Sequence, residues 1–301
     1  MIELLVDLLP LGYTEAVVAI GASAIGLLAG LVGCTAVLRR RSMVGDAMSH
    51  AALPGVCIAF LLSGGSKAPH VLLAGALVAG MLAALAVVAL ERSGIVPTDA
   101  AIGVVLSVAF SSGIVLLTLI ARRPDADQAG LERYLFGQAA SLLVEDVRAI
   151  LVLLAVALVT IGVLRHAIVA TLFDRGFAAS SGLNAVLVDI AMTGTLVVAA
   201  VTGLQVVGAI LMVALLVAPA IAARQWTRSL RAMLPLAGLL GALIGGGGAL
   251  LASRLGAPTG PVIVLIAALV AFVSIVAAPR RGVVAQALGR RRLARESGSP
   301  A

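Results

Sequence analysis

The chain has 301 residues, of which 61% are hydrophobic and only 12% charged, and it carries a net charge of +7. A soluble domain has about a quarter charged residues, so this composition excludes an ordinary soluble fold and points to a polytopic membrane protein. The cations sit in loops and in the C-terminal segment, where membrane topology accounts for them and no nucleic-acid partner is needed.

Residues 1–14 are too short and too charged to span; they read as an interfacial segment with Leu4, Leu5 and Leu8 inward. Apolar segments follow at 15–38, 43–63, 70–90, 99–121, 147–168, 183–203, 205–223, 233–253 and 260–278. Each approaches the ~20 residues a bilayer requires. The sixth and seventh are joined only by Gly203, Leu204 and Gln205, so one of them is expected to be short, broken or re-entrant. The expected fold is therefore an all-α membrane bundle of eight to nine transmembrane helices, with one membrane domain over 15–278. Abundant glycine (33 residues) suits close helix approach. With the N-terminus outside, fifteen of the 21 Lys and Arg residues fall on the inner side. This distribution predicts a cytoplasmic C-terminus. The loop 122–146 is of mixed charge, with a short surface helix expected over Leu131 to Leu143. The segment 279–301 is basic and lacks an apolar face, so it is expected to be disordered or to lie on anionic lipid.

Chemistry concentrates between Arg39 and Gly55. Three arginines, Arg39, Arg40 and Arg41, precede Asp46 and His50, and the stretch runs straight into an apolar segment. A spacing of i, i+4 puts Asp46 and His50 on one helix face. Together they offer an oxygen and a nitrogen ligand, suited to manganese, zinc or iron as divalent ions. Two ligands do not close a site, and Pro54 is placed to kink the helix and release backbone carbonyls beside His50. Taken alone, the pair could equally be an interfacial charge and a hydrogen-bonding imidazole. Asp99, at the head of the fourth segment, reads first as a charge favourable to the helix dipole and second as a further carboxylate on a cation path. Asp189 reads as the partner of an arginine. Cys34 and Cys57 read as small buried side chains. Gly245 to Gly248 lie in an apolar segment with no lysine beside them, and read as close helix packing or a kink.

Residues Val44 to Gly55 (VGDAMSHAALPG) resemble the signature of the permease subunits of bacterial metal-ion ABC importers, the manganese/zinc/iron family. Pro97 to Gly103 (PTDAAIG) resembles the acidic helix start of that family, with Thr98 where an acidic residue is common. Gln128 to Ser141 (QAGLERYLFGQAAS) resembles its manganese/iron branch more than its zinc branch. Leu204 to Pro219 and Ala257 to Pro261 fit as well, and the resemblance extends to about residue 278.

The resemblance implies a coupling helix over Leu172 to Gly182 that fits a groove on an ATPase subunit. Leu172, Phe173 and Phe177 are its apolar residues, Asp174 and Arg175 its polar ones; Gly176 lies between them, and Gly182 is the candidate cap. The chain has no Gly-x-x-x-x-Gly-Lys-Ser/Thr cradle, and Lys67 is its one lysine, so ATP hydrolysis is expected in a separate subunit. Neither a Ser-His-Asp nor a Cys-His constellation is apparent; besides His50, the histidines are His70 and His166, both near loops. The expected function is thus that of a non-enzymatic permease subunit in the cell membrane, importing a divalent metal, manganese first, then zinc or iron. The metal is cargo, and no prosthetic group is implied. Expected partners are the ATP-binding subunit, an extracytoplasmic metal-binding protein, a second permease copy or related chain, and membrane lipid. The alternative is a secondary transporter driven by an ion gradient, with Asp46, Asp99 and Asp189 as carriers.

Overall fold

The computed structural model describes residues 12–39, 44–66, 68–122, 144–173, 175–279 and 282. It contains no strand among these residues. The helices are α1 (Tyr13–Leu38), α2 (Val44–Ala51), α3 (Leu53–Leu62), α4 (Pro69–Arg92), α5 (Thr98–Ala121), α6 (Val144–Phe173), α7 (Arg175–Ser180), α8 (Ala185–Val207), α9 (Ala209–Trp226), α10 (Leu230–Leu255) and α11 (Thr259–Ala277). Seven helices are long and apolar enough to cross a membrane, and two shorter apolar stretches, Ala47–Leu62 and Ile210–Trp226, complete the series. The all-α bundle of eight to nine spans expected from the sequence is the architecture observed. The first helix begins at Tyr13, slightly earlier than expected. The rest of the N-terminal segment, the helix expected over Leu131 to Leu143, and nearly all of the basic C-terminal segment lie outside the described residues.

α1 is the axis of the bundle. Its apolar window is 83% buried, against 17% for α5 and α11, although all three are strongly apolar. The difference lies in side-chain size. Ala22, Gly26 and Gly30 repeat every four residues on α1, and Gly245, Gly241 and Ala237 repeat likewise on α10. The two sets meet in antiparallel order: Gly26 against the Gly241 carbonyl, Gly30 against that of Ala237, Gly245 against that of Ala22. A methyl group at any of these glycines would overlap a backbone carbonyl. Such stripes allow backbone-to-backbone dispersion contact where no hydrophobic drive between helices exists. Gly33 takes the same role against Leu216 of α9. The Gly245–Gly248 run is therefore close packing: Gly245 and Gly246 face α1, Gly248 faces Ile263 of α11, and only Gly247 meets open space. At the outer end of this pair, as the sequence orients it, Ser253 Oγ donates to Glu15.

The sixth and seventh segments are separate helices, but their joint lies at Gly208 rather than at Gly203 to Gln205. Gly203 stays helical, and its missing side chain makes room for the Met212 sulfur. Gly208 has φ 88° and ψ 162°, a region open essentially to glycine alone. It caps both helices, its N–H donating to the Leu204 carbonyl at 2.9 Å and its carbonyl accepting from Met212 N–H at 3.1 Å. Pro219 lies inside α9, which continues to Trp226.

α6 has 30 residues and is about 45 Å long, against a hydrocarbon core of about 30 Å. α7 begins at Arg175, at the C-terminal end of this long helix. α7 ends as the sequence predicts. Gly182 has φ 77°, and the Leu183 N–H donates to the Ala178 carbonyl at 3.0 Å, the 6→1 bond of a Schellman motif. Asn184 then caps α8, its side-chain oxygen accepting from the Val186 and Leu187 amides.

Candidate functional site

The Arg39–Gly55 stretch forms the end of α1, the short helix α2 and the start of α3. α2 is short for local reasons. Ser49 Oγ donates back to the Gly45 carbonyl at 2.8 Å, a bond that tends to bend helices. Pro54, in the first turn of α3, has no N–H to close the i→i−4 bond onto the His50 carbonyl. Ala52 N–H splits between the Met48 and Ser49 carbonyls at 3.1 and 3.4 Å. The break expected at Pro54 is present, one turn after the Asp46–His50 pair.

α2 is wedged among four helices. A Cβ at Gly45 would lie 3.3 Å from Leu216 of α9, 3.6 Å from Leu196 and 3.8 Å from Ala200 of α8. The Met48 carbonyl faces Gly80 of α4 at 3.7 Å, measured in the same way. Val44, Ala47, Met48, Ser49 and Ala51 are buried, whereas His50 is half-buried. The His50 ring meets the edge of Phe110 on α5, with centroids 5.5 Å apart and planes at 83°. Such an arrangement holds the imidazole plane by packing. Asp46 lies one turn before His50 on the α2 backbone; the position of its side chain is outside the described set.

Beyond Phe110, α5 exposes Ser107, Ser111, Ser112 and Thr118 within an apolar helix. Ser112 and Thr118 donate to the Ala109 and Ile114 carbonyls at 2.7 and 2.8 Å, which satisfies them at depth. Asp99 is exposed in the first turn of α5. It lies about three turns from Phe110, some 16 Å along the axis. This position suits its dipole role and leaves it apart from His50. His70 and His166 are exposed on α4 and α6. Cys57 is buried, with its thiol 3.8 Å from the Gly113 carbonyl, and Cys34 stands equally far from the Met233 carbonyl. No group of three or more His, Cys, Asp or Glu side chains converges among the described residues.

The remaining candidates lie at the α6–α8 corner. Leu172 packs into the cluster of Ile168, Val188 and Met192, which fixes α6 to α8. Gly176 and Gly182 are exposed. Asp174 and the side chains of Phe173, Arg175 and Phe177 are outside the described set. Asp189 does pair with an arginine. Arg39 Nη1 donates to Asp189 Oδ1 at 2.6 Å, and both side chains are only 10% exposed. Nothing in the spacing of the basic residues singles out Arg39 as that partner. Phe110 was also missed, and its signal was weak: it is one of six phenylalanines, set among serines on a helix otherwise aliphatic.

Residues 14–278 match the ABC 3 transport family. The chain belongs to that family. As an ABC 3 chain it resembles the zinc transport system membrane protein TroC of Treponema pallidum, 43% identical over 282 residues, 93% of this chain and 94% of that one. It also resembles the manganese transport system membrane protein MntC of Bacillus subtilis, 41% identical over 278 residues. That match covers 92% of this chain and 64% of the longer relative. The solved structure of PsaBC from Streptococcus pneumoniae in complex with Fab superposes with a TM-score of 0.77 at 31% identity, covering 93% of this chain and 98% of that chain. The ABC 3 chain is thus a multi-pass membrane protein of the permease type.

Proposed function

We propose that this chain is the permease subunit of an ATP-driven importer that carries a divalent transition metal into the cytoplasm, manganese first and zinc or iron next. The observation that carries this reading is the Asp46–His50 pair on one short helix, held at a break in a membrane bundle of this family. An ionisable pair at such a place is costly and is retained for function. An oxygen and a nitrogen donor suit an ion of this class. The relatives named for manganese and zinc support the cargo class.

ATP is hydrolysed by a partner, because the chain lacks a phosphate cradle of its own. α7, at the C-terminal end of the long helix α6, is the segment that meets that partner. An extracytoplasmic metal-binding protein delivers the ion, a second permease copy or related chain closes the path, and the protein resides in the cell membrane with its C-terminus cytoplasmic.

The test is uptake of radioactive manganese(II) into proteoliposomes holding the permease, its ATPase and its binding protein, with zinc(II) and iron(II) as competitors. ATP-dependent uptake is expected. Uptake that continues without the ATPase and follows an ion gradient would replace this reading with secondary transport.

Phe110→Ala is expected to raise the apparent KM for manganese about tenfold, as loss of a ligand-orienting neighbour commonly does. The maximal rate should change little. An unchanged KM would show that the imidazole does not depend on the stacking contact.

A further inference from the structure

We infer that the Arg39–Asp189 ion pair is the strut through which movement of the α7 corner reaches the Asp46–His50 helix. The inference rests on the proposed function and adds to it two positioning residues, neither of which needs to touch the metal.

The linkage can be followed atom to atom. α7 and α8 are joined without slack: the Leu183 N–H returns to the Ala178 carbonyl, and Asn184 caps the first turn of α8. Asp189 follows in the second turn of α8. Its carboxylate holds the guanidinium of Arg39, the residue that closes α1. Two turns further along, the same α8 meets the start of α2, where Leu196 and Ala200 lie against Gly45. The chain crossing from α1 to α2 is therefore pinned to α8 at both of its ends. Any tilt or axial shift of α8 must carry the first turn of α2 with it.

The chemistry of the pin matters. Along its middle, α1 meets α10 through small residues whose contacts are not directional. A charge-assisted bond of 2.6 Å is directional and fixes one register. A buried pair of this kind adds little net stability over apolar packing, so a geometric role accounts for it better than a stabilising one. Leu172, packed against the cluster that includes Ile168 and Val188, adds a second tie between the end of α6 and α8.

The test uses the full complex of permease, ATPase and binding protein in proteoliposomes, and reads manganese(II) transported per ATP hydrolysed. The apolar double variant Arg39→Met/Asp189→Leu removes both charges of this pair at once. ATPase activity is expected to stay within about threefold of wild type while manganese carried per ATP falls at least tenfold. Wild-type stoichiometry in the double variant would overturn the inference, and so would an equal fall of uptake and ATPase activity. A second comparison, in case the double variant fails to assemble, sets Arg39→Lys against Arg39→Gln. The lysine should keep the stoichiometry within threefold and the glutamine should lose it tenfold; equal values would again overturn the strut. If wild type itself shows no ATP-dependent uptake, the proposed function fails instead, so the two failures are distinguishable.

Discussion

Alanine at Asp46 or at His50 is expected to abolish metal uptake while leaving the protein folded, inserted and able to join its ATPase. α2 is held in place by Val44, Gly45, Ala47, Met48 and Ala51, none of which these substitutions disturb. What is lost is donor chemistry. Removing a neighbour that merely orients a metal ligand costs 10- to 100-fold in affinity, so losing one of two ligands should cost at least about a hundredfold in uptake. Radioactive manganese uptake at low micromolar concentration, with complex yield after affinity purification as the control, checks this. Normal uptake in either variant would remove that residue from the path. His50→Asn, which keeps a polar group of similar reach, should fail almost as badly, because an amide is a poor substitute for an imidazole ligand.

Gly26→Val and Gly241→Val are expected to damage the bundle more than substitutions of larger core residues. Each new side chain would enter the carbonyl of the facing helix, and the two backbones would have to separate along their whole contact. Overpacking by a few methylenes costs about 1–3 kcal/mol in a well-packed core. Here the obstacle is backbone, which has no rotamer to yield, so the cost should reach or exceed about 3 kcal/mol. A lower unfolding temperature in detergent and poor yield of intact complex are the readouts. Gly247→Ala, one position past two of these contacts and facing open space, is the matched control. It should leave stability unchanged or raise it by up to about 1 kcal/mol, since alanine is the better helix former. A Gly241→Val protein with unaltered melting would show that α1 and α10 do not rest on each other this closely.

Helix positions could be read from the sequence because runs of about 20 apolar residues leave little choice in a bilayer. The break after His50 could also be read, since Pro54 removes a donor at a known offset. Which helix faces meet could not. A soluble helix shows its buried face by amphipathicity, but α1 and α5 are apolar all round, and nothing in their hydropathy foretells that one is central and the other peripheral. The clue lay in the size of side chains, in the four-residue repeat of Ala22, Gly26 and Gly30. Gly203 looked like the joint between the sixth and seventh segments because glycine breaks helices; only the geometry distinguishes a glycine kept for close approach from Gly208, kept for its backbone angles. The Asp46–His50 pair was visible as a local spacing. Its neighbour Phe110 and the Arg39–Asp189 bond join residues far apart in the chain, and no periodicity reports on such pairings.

The contact between α1 and α10 also bears on how the protein is made. Gly26 and Gly241 are about 215 residues apart in the chain. At about 5–20 residues per second, the ribosome needs roughly 10–40 s to reach the second after the first. Throughout that interval the glycine stripe of α1 has no permanent cover, though it belongs to the most buried helix of the finished protein. A helix made long before its partner is thus among the last to be settled. That stripe must be covered meanwhile by lipid, by provisional neighbours such as α2, or by the insertion machinery.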